Sequence, residues 1–280
     1  MRKARGIEKR ELEGARWVRV MGAPIFVRDR GRGPVLLMLH GHPTSSDLWS
    51  DLVGDLQRSY RCICPALPGL GRSGVPRGFD FGLRTMSAFL SELVFALDLP
   101  EGLHLVLHDI GGTYGLAWAL AERRRMASVV ILNSSFSPRP EWHAIARIWQ
   151  TPAVGELAMR FLPAWLFLAI LRSGGTPGMP EWLAHRLWRL YSPKARASAL
   201  AIYRRLRQED LRPWREQLPT FVRHVPIKVL WGTADPHLGI RESRGFGTED
   251  IEYFPGRGHW LPAESPTEVA HRIRIFSRSR

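Results

Sequence analysis

Short apolar runs bounded by turn residues recur along the chain, and from the third run onward segments with helical spacing lie between them. Each run has the length of a buried strand, and its alternation with helices calls for a mostly parallel sheet covered on both faces. The runs predict eight strands, at Ala15–Val20, Pro24–Arg28, Val35–Leu39, Arg61–Pro65, Leu103–Leu107, Val129–Asn133, Ile227–Trp231 and Ile251–Phe254. We therefore expect an α/β fold built on a mostly parallel eight-stranded sheet.

One interval departs from this alternation. The segment between Asn133 and Ile227 is far too long for a single crossover, and its pattern is helical. We interpret residues 135–214 as a helical cap inserted into a core formed by residues 1–134 and 215–280, where it would cover a site at the sheet edge. The cap contains six tryptophans, most of which we expect to pack between helices: Trp142, Trp149, Trp165, Trp182, Trp188 and Trp214.

The sharpest chemical signal is Asp109. The strand predicted to end at Leu107 turns abruptly there into a helix predicted from Thr113 to Glu122, and two glycines follow in Asp109-Ile-Gly-Gly. A strand–turn–helix with a carboxylate at its apex predicts a nucleophile elbow, in which glycine is needed where no Cβ fits. The amide of Ile110 would then be free to donate to an oxyanion. An aspartate that merely caps the helix is the alternative interpretation.

Two further candidates come later in the chain, in the order nucleophile, acid, base. Asp235 follows the seventh predicted strand in Gly-Thr-Ala-Asp-Pro, and His259 follows the eighth in Gly-Arg-Gly-His-Trp-Leu-Pro. With Asp109 they lie just beyond the carboxyl ends of parallel strands, which is where open α/β sheets assemble their sites. Alone, Asp235-Pro could be a simple turn and His259 a surface histidine.

A fourth segment follows the third strand. The turn His40-Gly-His42-Pro should direct the amide of His42 toward the elbow, as a second oxyanion donor beside Ile110. For His40 we expect a structural hydrogen-bonding role within the loop.

Taken together, the four segments resemble the α/β-hydrolase superfamily, in the nucleophilic-aspartate branch that contains epoxide hydrolases and haloalkane dehalogenases. The matching segments are His40-Gly-His-Pro-Thr-Ser-Ser, Leu107-His-Asp-Ile-Gly-Gly, Trp231-Gly-Thr-Ala-Asp-Pro and Gly258-His-Trp-Leu-Pro. The resemblance implies an α/β-hydrolase fold with an inserted cap. It also implies that Asp109 forms an alkyl ester, which water activated by His259 and Asp235 hydrolyses.

The sequence departs from both activities of the branch. Dehalogenases resemble this chain at the His-Gly-x-Pro turn, but they carry tryptophan after the nucleophile, where Ile110 stands here, and a second halide donor. His42 occupies the usual asparagine position, and a rough alignment puts Met159 at the alternative cap position. Because the side chain of Ile110 has no donor, this feature argues against halide release.

Epoxide opening needs an acid for the ring oxygen, and Tyr203 resembles the distal cap tyrosine that supplies it. The usual partner tyrosine earlier in the cap is missing, and His143 or Gln150 could replace it. Trp260 is expected to line the pocket beside the base. We therefore expect epoxide hydrolysis, with haloalkane dehalogenation as the alternative. β-Lactone opening and a non-catalytic binding role stay open.

The chain has 280 residues and a formal net charge of +14. Such a charge would suit nucleic acid or an anionic membrane, but the arginines are spread along the chain and no recognition motif accompanies them, so we expect no nucleic-acid partner. The cluster Arg123–Arg125 has a structural explanation at a helix C-terminus.

The remaining expectations concern compartment and ligands. The apolar stretch Phe161–Leu171 is too short to span a bilayer, and Met1–Arg10 is charged with no apolar segment after it, so we expect a cytoplasmic protein. Cys62 and Cys64 are two apart on one strand and cannot bridge each other without strain. No ligand cluster or phosphate loop is apparent, so we expect no metal or cofactor, only a small apolar substrate and water.

Overall fold

The computed structural model describes residues 14–122, 126–137, 142–173 and 176–278. Eight strands form one sheet in the order β1-β2-β4-β3-β5-β6-β7-β8, and β2 alone runs in the direction opposite to the other seven. Their bounds are β1 Ala15–Val20, β2 Ala23–Arg30, β3 Val35–Leu39, β4 Arg61–Pro65, β5 Leu103–His108, β6 Met126–Leu132, β7 Ile227–Gly232 and β8 Ile251–Phe254. The predicted mostly parallel eight-stranded sheet is confirmed.

The central strands are apolar on both sides because helices cover both faces of the sheet. Every residue of β3 and of β5 is buried, as expected for parallel strands between two helical layers. The helices are α1 Ser50–Leu56, α2 Leu83–Ala96, α3 Ile110–Ala121, α4 Ala144–Gln150, α5 Val154–Arg160, α6 Ala164–Arg172, α7 Glu181–Leu190, α8 Pro193–Gln208, α9 Arg212–Arg215, α10 Leu218–Phe221, α11 Leu261–Glu264 and α12 Pro266–Arg278.

Several predicted boundaries differ from the structure by a few residues, and two of these differences concern the candidate site. Helix α3 begins at Ile110 rather than Thr113, because the glycines after the elbow are already helical. Strand β6 spans Met126–Leu132 and leaves Asn133 outside it at a positive φ of 36°. A residue at positive φ does not continue the ladder, so the strand ends at Leu132 and the Asn133 side chain is directed to the site described below.

Helices α4 to α8, here called the cap helices, lie between β6 and β7 in the chain. They pack on one another, and their apolar side chains join a buried cluster that also contains residues of β3 and β5. Among the described residues no single helix is long and apolar enough to cross a bilayer. Helices α5 and α6 would reach that length and hydropathy only as a pair, and they are bent by 100° relative to each other.

Cys62 and Cys64 are buried free thiols. Within the described ranges, no group of three or more His, Cys, Asp or Glu side chains is arranged to hold a metal ion. The predicted helix-terminal cluster Arg123–Arg125 and the charged segment Met1–Arg10 lie outside the described residues.

Candidate active site

Asp109 stands at the apex of the turn between β5 and α3. Its backbone has φ 53° and ψ −133°, and its side chain makes no hydrogen bond that caps the helix. A non-glycine residue at positive φ is strained, and such strain persists only where the surroundings enforce it. The capping interpretation of Asp109 is therefore wrong, and the carboxylate is instead held out toward the loop after β3.

Close backbone approaches explain the glycines around this turn. A Cβ at Gly41 would lie 2.5 Å from Cγ of Asp109 and nearer still to its Oδ1. A Cβ at Gly111 would lie 2.8 Å from the carbonyl carbon of Leu39, closer than real Cβ atoms approach backbone. Both positions must be glycine for the elbow to pass this close to the end of β3.

The loop after β3 directs a backbone amide at the carboxylate, as predicted. The amide of His42 donates to Oδ1 of Asp109 at 2.8 Å, and the amide of Ile110 also favours the charged carboxylate. One oxygen of Asp109 thus lies where an oxyanion would be stabilised by backbone donors. His40, in contrast, is structural: its Nε2 accepts from the amide of Leu67 at 3.0 Å and its Nδ1 contacts the carbonyl of Gly41.

His259 lies between two carboxylates. Its Nδ1 is 2.7 Å from Oδ2 of Asp235, and its Nε2 is 3.4 Å from Oδ2 of Asp109. The loops after β5, β7 and β8 therefore bring the three residues together, as the sequence predicts. Asp235 serves two purposes at once, because its other oxygen accepts from the amides of His237 and Leu238 and so also forms the expected turn.

Asn133 fixes Asp235 from the end of β6, and sequence reasoning did not identify it. Its Nδ2 donates to Oδ2 of Asp235 at 2.8 Å, and its Oδ1 accepts from the amide of Gly232 at 2.9 Å. These bonds hold the carboxylate in register with β7. The position directly after an apolar strand was the available signal, but nothing local distinguishes an asparagine that orients a carboxylate from one that ends a strand.

The charges in this group are coupled. Burial disfavours the charge of Asp109, but the hydrogen bond and charge of His259 outweigh it and hold the pKa of that carboxyl far below its usual range. Burial likewise opposes the charge of His259, but Asp235 and Asp109 raise its pKa to about 10. In the free protein His259 is consequently an imidazolium between two carboxylates.

A cavity of about 60 Å³ opens on Asp109 between the strand ends and the cap helices. This volume exceeds the roughly 10–15 Å³ that one water requires, so it admits a small molecule. Ile110, His143 and Tyr203 line it with Asp109. An adjoining cavity is lined by Asp109, His259, Trp260 and Ile170, together with His143 and Tyr203 again.

Tyr203 is buried and faces the nucleophile position. Its ring packs edge-on against His42 and Trp149, at centroid distances of 5.3 and 4.9 Å. Burial raises the pKa of its hydroxyl well above the usual value, and the negative charge of Asp109 raises it further. The phenol therefore keeps its proton in the resting protein.

His143 and Gln150 differ in what they can reach. His143 lines both cavities, and its Nδ1 accepts from the amide of Ala146 at 3.2 Å. Burial lowers the pKa of His143, so the ring is neutral near pH 7 and carries its proton on Nε2. Gln150 donates to the backbone carbonyl of Tyr203 at 3.5 Å and is absent from both cavity linings.

The site contains further residues that the sequence did not single out. Tyr191 donates to or accepts from Nε2 of His42 at 2.6 Å and lies 3.5 Å from the sulfur of Met159, so it fixes the His42 ring rather than lining a cavity. His237 lines both cavities, and its ring lies 5.1 Å from that of His259. The sequence feature that could have identified His237 is its position two residues after Asp235.

The match to known proteins extends over most of the chain. Residues 36–272 match the alpha/beta hydrolase family. The chain belongs to this family. The strand order, the elbow at Asp109 and the cap helices all agree with that membership, and the resemblance stated from the four sequence segments is confirmed. The chain is therefore an enzyme of the α/β-hydrolase class, and family membership alone does not specify its substrate.

Its relatives carry different names. The chain is 27% identical to "Haloalkane dehalogenase 2" of Mycobacterium tuberculosis over 278 residues, covering 92% of this chain and 93% of the dehalogenase. It is 24% identical to a cis-3-alkyl-4-alkyloxetan-2-one decarboxylase of Shewanella oneidensis over 274 residues, covering 91% and 85%. Among solved structures, the epoxide hydrolase CorEH has a TM-score of 0.81 at 22% identity, covering 95% and 99%, which shows the shared fold.

Proposed function

We propose that this α/β-hydrolase opens a small epoxide to a vicinal diol through an alkyl ester on Asp109. The observation that carries the proposal is the arrangement of Asp109, with one oxygen on the His42 amide and the other facing His259. A carboxylate attacks sp³ carbon competently, whereas its attack on an ordinary ester would only give an anhydride. An aspartate at the elbow therefore favours epoxides, alkyl halides or β-lactones over esters.

In the first step an oxygen of Asp109 bonds to an epoxide carbon while the ring C–O bond breaks, and Tyr203 gives its proton to the ring oxygen. Attack removes the negative charge of Asp109. Because that charge raises the pKa of Tyr203 and of His259, both groups become more acidic as the alkoxide forms. The proton is thus released when it is needed.

Before the second step His259 passes its proton to the Tyr203 phenolate. Neutral and oriented by Asp235, it then takes a proton from water. The water oxygen attacks Cγ of the Asp109 ester, and the amides of His42 and Ile110 stabilise the oxyanion. Collapse releases the diol, whose oxygen takes the proton of the attacking water's hydroxyl, and restores the carboxylate. His259 keeps the proton it took from water and is again the imidazolium of the resting protein. We assign Trp260, edge-on to His259 at 4.5 Å between ring centroids, to the wall beside the base.

His143 is proposed as the second donor to the ring oxygen, in place of the missing cap tyrosine. Its neutral ring borders the same cavity as Asp109 and Tyr203, and its Nδ1 is occupied by a backbone amide. Nε2–H is then the group available to a substrate. Residues 135–214 act in this scheme as the cap that encloses the substrate over a core of residues 1–134 and 215–280.

Haloalkane dehalogenation is the second candidate, favoured by the 27% identical dehalogenase. The apolar side chain of Ile110 argues against it, and so does Met159, which contacts Tyr191 rather than offering an N–H donor. Opening of a β-lactone is the third candidate, supported by the oxetanone decarboxylase relative, and it would use Asp109 in the same way.

Product analysis distinguishes the three reactions and the non-catalytic alternative. The purified chain is incubated in parallel with styrene oxide, 1-bromobutane and a cis-dialkyl β-lactone, with Asp109→Ala as the control. We expect diol from the epoxide and no reaction in the control. Bromide release would support dehalogenation, carbon dioxide release would support lactone opening, and the absence of any turnover would favour a binding role.

A further inference from the structure

The cap helices expose large apolar side chains of a kind that is normally buried in a monomer in water. Twelve large apolar residues are exposed among the described residues, and seven of them fall between positions 148 and 182. Phe161 and Trp165 are 68% and 70% exposed. The seven are Ile148, Val154, Leu157, Phe161, Trp165, Leu166 and Trp182. Scattered single exposures are ordinary, but a concentration of this kind indicates an interaction surface.

Five of them lie close together in the chain, on α5, on α6 and between the two helices. Val154 and Leu157 of α5, with Phe161 directly after its last residue, have the i, i+3, i+7 spacing of one helix side. Trp165 and Leu166 project outward from the start of α6, whereas Phe167 and Leu171 of the same helix are buried. We call the outward set Val154, Leu157, Phe161, Trp165 and Leu166 the cap face.

The charges around the cap face are predominantly positive. Between residues 144 and 191 the sequence has five arginines against two glutamates and no aspartate or lysine. One of the five, Arg186, is buried in an ion pair with Asp47, and the other four are Arg147, Arg160, Arg172 and Arg189. Both glutamates are paired, since Glu156 is 2.6 Å from Arg204 and Glu181 is 3.0 Å from Arg172. Arg160 lies over the ring of Phe161, with 5.8 Å from its guanidinium carbon to the ring centre. Aromatic and leucine side chains beside arginines are typical of helices that lie in a membrane interface.

We propose that the cap face docks on the surface of an anionic lipid bilayer. The α5–α6 pair has membrane-like hydropathy, but its 100° bend and the buried side of α6 make it a surface element rather than a span. The net charge of +14 attracts the chain to anionic headgroups. A second copy of the chain is a poorer occupant, because a two-fold contact would bring two such arginine-rich faces together.

Docking would connect the bilayer to the cavity. Ile170 lies on the same helix as Trp165 and lines the cavity that contains Asp109. An apolar substrate dissolved in the bilayer would then be delivered beside the site. This consequence rests on the proposed function, whereas the docking itself does not.

Vesicle flotation tests the proposal with the full chain. Vesicles of phosphatidylcholine alone and of phosphatidylcholine with phosphatidylglycerol are mixed with the wild type and with the double variant Phe161→Ser/Trp165→Ser. The matched control is Phe95→Ser, since Phe95 is 85% exposed near the C-terminal end of α2, which is not one of the cap helices. We expect wild type and Phe95→Ser to float equally with the anionic vesicles, and the double variant to bind roughly 100-fold more weakly.

Thermal melts should coincide for all three proteins, because the changed side chains are exposed. Three outcomes would overturn the proposal: no flotation of the wild type with anionic vesicles, equal flotation of the double variant, or a wild-type dimer in sedimentation that the double variant dissociates. The last would identify a second copy as the occupant. None of these outcomes depends on which substrate the site hydrolyses.

Discussion

A methyl group added at Gly41 should displace the carboxylate of Asp109 while leaving Asp109, Asp235 and His259 chemically unchanged. The new Cβ of Gly41→Ala would lie 2.5 Å from Cγ of Asp109. Carbon atoms pack at about 3.5 Å, so the carboxylate must retreat by roughly 1 Å. That movement breaks the 2.8 Å hydrogen bond from the His42 amide. Misplacement of a reacting group by about 1 Å can reduce the rate roughly 100-fold.

The assay is kcat/KM on whichever substrate the wild type turns over, with thermal denaturation beside it. We expect a fall of about 100-fold or more and a loss of roughly 1–3 kcal/mol in the free energy of unfolding from the overpacked elbow. Gly54→Ala is the control, because a Cβ there meets nothing within 4 Å and adds helix propensity in α1. Wild-type turnover by Gly41→Ala would refute the assignment of the Asp109 carboxylate as the reacting group.

Three other predictions concern the same site. Tyr203→Phe should slow epoxide opening by roughly 100-fold while leaving halide release nearly unchanged, and product formation from both substrates measures this; intact epoxide turnover would exclude Tyr203 as the acid. Asp235→Asn should let the Asp109 ester accumulate under turnover, visible by intact mass, because His259 is left without its orienting carboxylate; an unchanged steady state would contradict this. The pKa of His259 is raised from 6.5 to about 10, so the residue contributes its full stabilisation at pH values below 6.5 and loses it as the pH rises to about 10. The melting temperature should therefore fall more steeply across this pH range for wild type than for His259→Gln. Parallel curves for the two proteins would disprove the coupling.

The main elements of the site could be predicted because each has a local cause. A buried strand followed at once by Asp109 and two glycines can only turn sharply, and the chain order then identifies Asp235 and His259. The parallel sheet follows from alternating strands and helices. Those features depend on residues that are close in the chain, so a single sequence is enough to predict them.

Other features depend on contacts between distant segments. Tyr191 meets His42 across the cap and the core, and Asn133 reaches Asp235 across two strand ends. No local pattern encodes either contact. The sequence could not decide whether His143 or Gln150 is the candidate second donor, because both lie at the start of the cap. Only the orientation of α4 in the structure directs His143 to the cavity.

The most direct test of the central claim is intact-protein mass spectrometry of His259→Gln. The variant is incubated in parallel with styrene oxide, 1-bromobutane and a cis-dialkyl β-lactone, and any adduct is located by peptide mapping. Removal of the base should stop the reaction after the first step, so we predict a stable mass gain of the whole epoxide on Asp109. A butyl adduct on Asp109 would keep the nucleophile and change the substrate. No adduct on Asp109 with any of the three would contradict the account.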